Sequence, residues 1–249
     1  MSAELLGEFA LIFVALALGG LLKGAIGAGA PVVAVPVMAL FFDVQLAVVV
    51  MVIPNLVSNL WQGWQHRAQM LPRRFTLGLA LSGAIGAGTG SVILAVVPSD
   101  VLLLVVAVMV LFFILFRLAR PDWGLSYPAA LKLVWPAGFL AGNLQGATGV
   151  SAPVSISFLS AMRLDRLAFL ATISVFFALM SVVQIPVLWA YGLMDWQRTA
   201  YGIAAIVPLL AFMPVGNYIA RFVPPKLFDR IIMVLLTLVA LRMIWKALA

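Results

Sequence analysis

A chain of 249 residues that is 65% apolar and 9% charged, with a mean hydropathy of +1.19, has too little polar surface for a water-soluble domain and reads as a polytopic membrane protein. A net charge of +7 would suit nucleic acid, but the 15 Lys and Arg are scattered through short loops without forming a basic stripe. No nucleic-acid partner is expected, and with no cysteine there is neither a disulfide framework nor thiolate chemistry.

Residues 5–22 form the first apolar segment. Glu4 and Glu8 at its start, and no small-residue cleavage site after it, argue against a removed signal peptide. Next comes 23–36, KGAIGAGAPVVAVP, where Gly24, Gly27, Gly29 and Pro31 must break a helix or bring it close to a neighbour. Further apolar segments fall at 29–42, 44–62, 76–97 and 99–118, and the rest of the chain repeats the set at 129–144, 149–162, 167–189, 199–220 and 226–247.

The repeat is visible in the residues. QGATGVSAPVSISF at 145–158, moved back by about 122 positions, pairs Gly146 with Gly24, Gly149 with Gly27 and Pro153 with Pro31. Asp43 then pairs with Asp165, Gln62 with Gln184, Met70 and Arg74 with Met194 and Arg198, Gly90 with Gly216, and Pro98 with Pro224. This gives a first transmembrane repeat over 1–120, a connector over 121–128 and a second repeat over 129–249.

The second segment of each repeat has only about 14 apolar residues, so it is a broken or re-entrant helix. If it reverses the chain, each repeat has five segments and the two are inverted; if not, they are parallel. Inversion gathers Lys23, Arg67, Arg73, Arg74, Arg117, Arg120, Lys132, Arg163, Arg166, Arg221, Lys226 and Arg230, 12 of the 15 cations, on the cytoplasmic face, and leaves Arg242 and Lys246 near an outer C-terminus. The expected fold is therefore an all-α polytopic membrane protein built from two inverted-topology repeats, with short glycine-rich helices that break or re-enter.

All eight acidic residues lie near the N-terminus or at predicted turns, so the spans hold no carboxylate. That argues against a cation pump, and no catalytic residue, metal site or cofactor is expected. His66, the single histidine, reads as a solvated loop residue, with a gate contact as the alternative. Lys23 opens the glycine-rich break, where a cation and exposed backbone N–H groups suit an anion; the plainer reading is a topology lysine that snorkels to the interface. Gly27, Gly29 and Gly149 serve either the site or close helix packing. Asn55, Ser58, Asn59 and Gln62 share one helix face at i, i+3, i+4 and i+7 spacing, and Ser174, Ser181 and Gln184 follow in the second repeat. These donors would hold an oxyanion without trapping it, or else bond helix to helix. Asn143, Gln145, Thr148 and Ser151 equip the second break in the same way, while Trp61 and Trp64 read as interfacial anchors.

With GAIGAGAPVVAVPVMALF in the first repeat and GATGVSAPVSISFLSAM in the second, the chain resembles the TauE/SafE family of sulfite and organosulfonate exporters, also called the four-toluene-sulfonate uptake permease family. Members often carry a further glycine where this chain has Ala30, and Ser151 with Ala152. The resemblance implies alternating-access export of small sulfur-containing or carboxylate anions through the bacterial cytoplasmic (inner) membrane. Its partners would be the anion and the lipid bilayer, and a homodimer is among the assemblies allowed. The candidate substrate site comprises Lys23, Gly27, Gly29, Asn55, Asn59, Gln62, Gln145, Thr148, Gly149, Ser151 and Gln184. The competing reading is a non-transporting membrane scaffold or assembly subunit, with the glycines serving only helix packing.

Overall fold

The computed structural model describes residues 3–119, 124–219, 222 and 225–248, and among them the chain is helical without a strand. Before the connector come α1 (Ala3–Ile26), α2 (Ala30–Phe41), α3 (Val44–Gln65), α4 (Arg73–Val96) and α5 (Ser99–Ala119). After it come α6 (Tyr127–Thr148), α7 (Ala152–Ala161), α8 (Arg166–Ala190), α9 (Trp196–Ala204), α10 (Ile206–Ile219) and α11 (Pro225–Leu248). Residues 121–123 of the connector, with Arg120, Arg221 and Pro224, lie outside the described residues.

Among the described residues five stretches are long and apolar enough to cross a membrane: Val44–Gln65, Arg73–Val96, Ser99–Phe116, Arg166–Ala190 and Trp196–Ile219. With 12 and 10 residues, α2 and α7 reach only about 18 and 15 Å, roughly half of a hydrocarbon core. The segment expected to run unbroken over 199–220 is divided at Ala205. Pro208 explains the division: it has no N–H for the Ala204 carbonyl, and its ring crowds that oxygen.

Local chemistry sets the helix starts. Asp43 accepts from the Leu46 N–H at the start of α3, and the matched Asp165 accepts from Leu167 and Ala168 at the start of α8. Asp195 caps α9 through the Arg198 N–H. Between α1 and α2 the chain turns through Gly27 and Gly29 at φ 87° and 89°, and between α6 and α7 through Gly149 at φ 71°, where any side chain would be strained. Pro31 and Pro153 then sit in the first turns of α2 and α7, where a missing N–H costs nothing. Ser151, between Gly149 and α7, has a φ of −110°, which requires no glycine.

The other glycines of the two motifs pack helices. A Cβ on Gly142 or Gly146 of α6 would overlap the carbonyl oxygen of Gly83 or Ala87 on α4. One on Gly20 or Gly24 of α1 would overlap that of Leu209 or Met213 on α10. Gly90 meets the Asn143 carbonyl, and Gly216 meets that of Leu21. The two interfaces thus superpose residue for residue, 122 positions apart on α1 and α6 and 126 apart on α4 and α10. Without side chains at these points the backbones touch, and dispersion contacts replace the hydrophobic effect that lipid does not provide.

α3 and α8, the matched third segments, pack on each other antiparallel: Asn55 faces Ser181, while Gly63, two turns on, faces Ser174. α2 is apolar and buried nearly all round, enclosed by α1, α3 and α11. A second core region joins Phe75 of α4, Phe158 of α7 and Phe176 of α8; Phe75 and Phe158 stack with centroids 6.2 Å apart.

Candidate substrate site

Lys23 lies in the last turn of α1 and is only 1% exposed, although it is an amine. Its Nζ donates to Asn59 Oδ1 at 2.8 Å, and no carboxylate among the described residues reaches it. Asn59 Nδ2 donates to Asn55 Oδ1 at 2.8 Å and to the Asn55 carbonyl at 2.7 Å. Asn55 Nδ2 donates to Ser181 Oγ at 3.2 Å, and Ser181 Oγ to the Phe177 carbonyl at 3.0 Å. A single polar chain therefore runs from α1 through α3 to α8. The four-residue spacing of Asn55 and Asn59 stacks their amides one turn apart, and the antiparallel packing brings Ser181 to the end of the row.

Beside this chain a vestibule of about 580 Å³ opens next to the end of α3 and the start of α8. Gly24 and Gly27 of the first break line it with Gln62, His66, Arg166, Leu170 and Asn217, and the two-thirds-exposed Trp61 stands at its rim. Arg166 Nη2 donates to the Ala25 carbonyl at 3.3 Å, so the guanidinium sits over the end of α1, where unpaired carbonyls favour a cation. The Gln62 Oε1 is buried without a partner.

A second, closed void lies among Val35, Val48, Asn55, Gln145, Gly149 and Gln184 and has no room for a water molecule. The Gln145 Oε1 and Gln184 Nε2 are buried there without partners.

The expected residues thus fall into separate places. Lys23, Asn55 and Asn59 form the polar chain; Gly27 and Gln62 line the vestibule; Gln145, Gly149 and Gln184 surround the void with Asn55. The structure turns the others elsewhere. Gly29 caps α2 among Leu22, Val32 and Ile156. Thr148 Oγ1 donates to the Leu144 carbonyl at 2.7 Å and accepts from the Val150 N–H at 3.2 Å, and Ser151 Oγ lies 3.2 Å from Ser155 Oγ. Asn143 bonds Thr89 across the α4–α6 contact at 2.9 Å. His66 lies in the turn after α3, partly exposed, and forms part of the vestibule wall. Trp64 is exposed, with the Arg67 guanidinium 4.3 Å from its ring.

Sequence reasoning missed Arg166 as a wall residue and passed over Asn217 altogether. An amide inside an apolar helix, next to a glycine of the repeat, was the signal for Asn217. Among the described residues no group of three His, Cys, Asp or Glu could hold a metal ion. The arrangement can hold an anion: burying an ammonium is expensive unless its charge is balanced, and one amide oxygen occupies one of its three N–H bonds.

The family model described as "Sulfite exporter TauE/SafE" matches residues 11–243. No curated protein and no solved structure matches the chain.

Proposed function

The chain belongs to the sulfite exporter TauE/SafE family of membrane transporters, and from that premise we propose that it exports a small anion across the bacterial cytoplasmic membrane. Sulfite, sulfoacetate and related organosulfonates or carboxylates are the substrate class. The observation that carries this reading is Lys23, a buried amine that no carboxylate among the described residues reaches, one turn from a glycine break and beside an open vestibule. The anion enters beside Gln62 and Arg166, displaces part of the hydrogen-bonding of Asn59, and is held by Lys23 and neutral amides. Amide donors hold an oxyanion without the tight grip that several cations would give.

In this reading the two repeats are inverted and rock against each other about the midplane. The superposed glycine contacts support a two-fold relation, and the antiparallel α3–α8 pair favours an axis in the membrane plane. The vestibule opens on the side of the basic 63–75 loop and Arg163, taken as the cytoplasm under the positive-inside rule. The α1–α2 and α6–α7 breaks are then the tips of two broken hairpins that approach the site from opposite faces.

The carboxylates of the helices lie toward their ends, as Asp100 does in the first turn of α5, so a proton relay has no carboxylate carrier at mid-membrane, and an anion needs none. With the cytoplasm negative, each elementary charge leaving gains about 2.3 kcal/mol per 100 mV, which for a dianion favours export by about 10³-fold. Flux of sulfite or sulfoacetate into proteoliposomes is expected to follow a valinomycin-set voltage and to depend weakly on an imposed pH gradient. Flux that follows only the pH gradient removes this mechanism, and no flux over a broad anion panel removes the transport reading.

A further inference from the structure

The two breaks are matched in position but not in chemistry. Gly27 packs on Leu170 and Gly149 on Val48, partners that are themselves 122 residues apart. At the same offset Gln62 corresponds to Gln184, Asn59 to Ser181 and Lys23 to Gln145. The vestibule and the closed void therefore share three matched wall positions, Gly27 with Gly149, Gln62 with Gln184 and Leu170 with Val48, and one is open while the other is shut. We propose that the void among Asn55, Gln145, Gln184 and Gly149 is a second, uncharged anion half-site, which opens to the opposite membrane face when the vestibule closes and binds the anion more weakly from that face.

This deepens the transport reading and rests on it. Two observations lead to it independently of the family. First, Gln145 and Gln184 are 5% and 1% exposed, and the Oε1 of one and the Nε2 of the other have no partner. A buried amide atom without a partner is rare in a native protein and destabilises the state that contains it. Opening the void to an anion or to water supplies those partners, so the closed void is a state the protein leaves during its cycle. Second, the charges are one-sided. His66 and Arg166 line the vestibule and Lys23 is buried next to its wall residue Gly24; their counterparts at the same offset are Leu188, Val44 and Gln145. An anion entering the vestibule meets the Arg166 guanidinium at the mouth and the Lys23 amine deeper in; in the other half-site it meets amides and valines. Capture is favoured on one face and release on the other.

The chain has no cysteine, so single-cysteine variants report access directly. Val48→Cys and Leu170→Cys are treated with a membrane-impermeant maleimide, applied to each face in turn, at both signs of membrane voltage and with sulfoacetate present. Leu170→Cys is expected to label from the Arg166 face. Val48→Cys is expected to resist label from that face and to label from the opposite face at one sign of voltage. Labelling of Val48→Cys from the Arg166 face, or from neither face at either voltage, overturns the proposal. The second measurement is the half-saturating sulfoacetate concentration at each face. Wild type should need about 10- to 100-fold more on the Val48 face, and Gln145→Lys should bring the two faces within about threefold. Equal values in wild type, or a folded Gln145→Lys protein that keeps the gap, also overturn it. Sulfoacetate flux by wild type is scored separately: its absence refutes the transport reading, whereas the labelling pattern refutes or supports the half-site whatever anion is carried.

Discussion

Around the α1–α2 break the protein keeps a lysine, an open vestibule and a continuous hydrogen-bonded chain; around the α6–α7 break it keeps a glutamine, a closed void and unpaired amides. The glycine–carbonyl contacts correspond pair by pair between the two halves, while the side chains that face the two cavities differ. Helix contacts mediated by bare backbone tolerate almost no change, because one added carbon overlaps a neighbouring carbonyl. Side chains that face a cavity are free of that constraint.

The sharpest way to break the comparison is to remove the Lys23 charge. Lys23→Gln gives the first break the residue of the second and retains a hydrogen-bond donor near Asn59. Anion binding is expected to weaken by about 10- to 100-fold, the 1.5–3 kcal/mol of a charged hydrogen bond, and Lys23→Ala by at least as much. Equilibrium binding of sulfoacetate to purified protein measures it; unchanged affinity would leave Lys23 as a topology residue.

Next in size is the test of the shared scaffold. Gly24→Ala and Gly146→Ala place a methyl against the Met213 and Ala87 carbonyls, at equivalent points of the two interfaces. Each is expected to destabilise by about 1–3 kcal/mol, read as a lower melting temperature in detergent. The two losses should agree within about a factor of two; a large loss at one position only would show that the interfaces are not equivalent.

This contrast between scaffold and site also marks how far the sequence could be read. The 122-residue register, the pairing of Asp43 with Asp165 and the shared face of Asn55, Ser58, Asn59 and Gln62 follow from local spacing, which a linear pattern records. That Gly24 and Gly146 pack helices while Gly27 and Gly149 turn the chain did not follow, because both uses select the same residue in the same apolar background. Nor did the Lys23–Asn59 bond, which joins residues 36 apart, or the turning of Asn143 toward Thr89, which depends on which face α6 presents to α4. Thr148 was read as a free donor, but its hydroxyl reaches the Leu144 carbonyl of its own helix.

A smaller effect separates the two kinds of amide. Asn59→Ala removes the partner of a buried ammonium and breaks the polar chain, so it should lower both stability and anion affinity, each by about 1–3 kcal/mol. Gln184→Leu removes an amide whose Nε2 has no partner in the closed void, so stability should hold or rise while flux falls severalfold. Parallel thermal melts and flux assays check this. If Gln184→Leu lost stability and kept its flux, the amide would be a packing element and the second break would have no part in transport.

His66→Ala should have the smallest effect, although His66 forms part of the vestibule wall. It closes the end of α3 with its backbone N–H, which donates to the Gln62 carbonyl at 3.1 Å and survives the substitution. Its side chain is half exposed to water, and no hydrogen bond holds it to the Lys23–Asn59 chain. A charge or dipole in that setting is screened, so its loss should change anion affinity by less than about 0.5 kcal/mol, or roughly twofold. Lys23, two residues from Ala25, acts in a buried site where screening is weak, and the predicted gap between the two substitutions comes from burial and not from distance along the pathway. Measuring half-saturating sulfoacetate for His66→Ala and Lys23→Ala at low and high salt separates these terms. The His66 effect should vanish at high salt while the Lys23 effect persists, and an equal salt dependence in both would place Lys23 in the water-filled mouth instead of the protein interior.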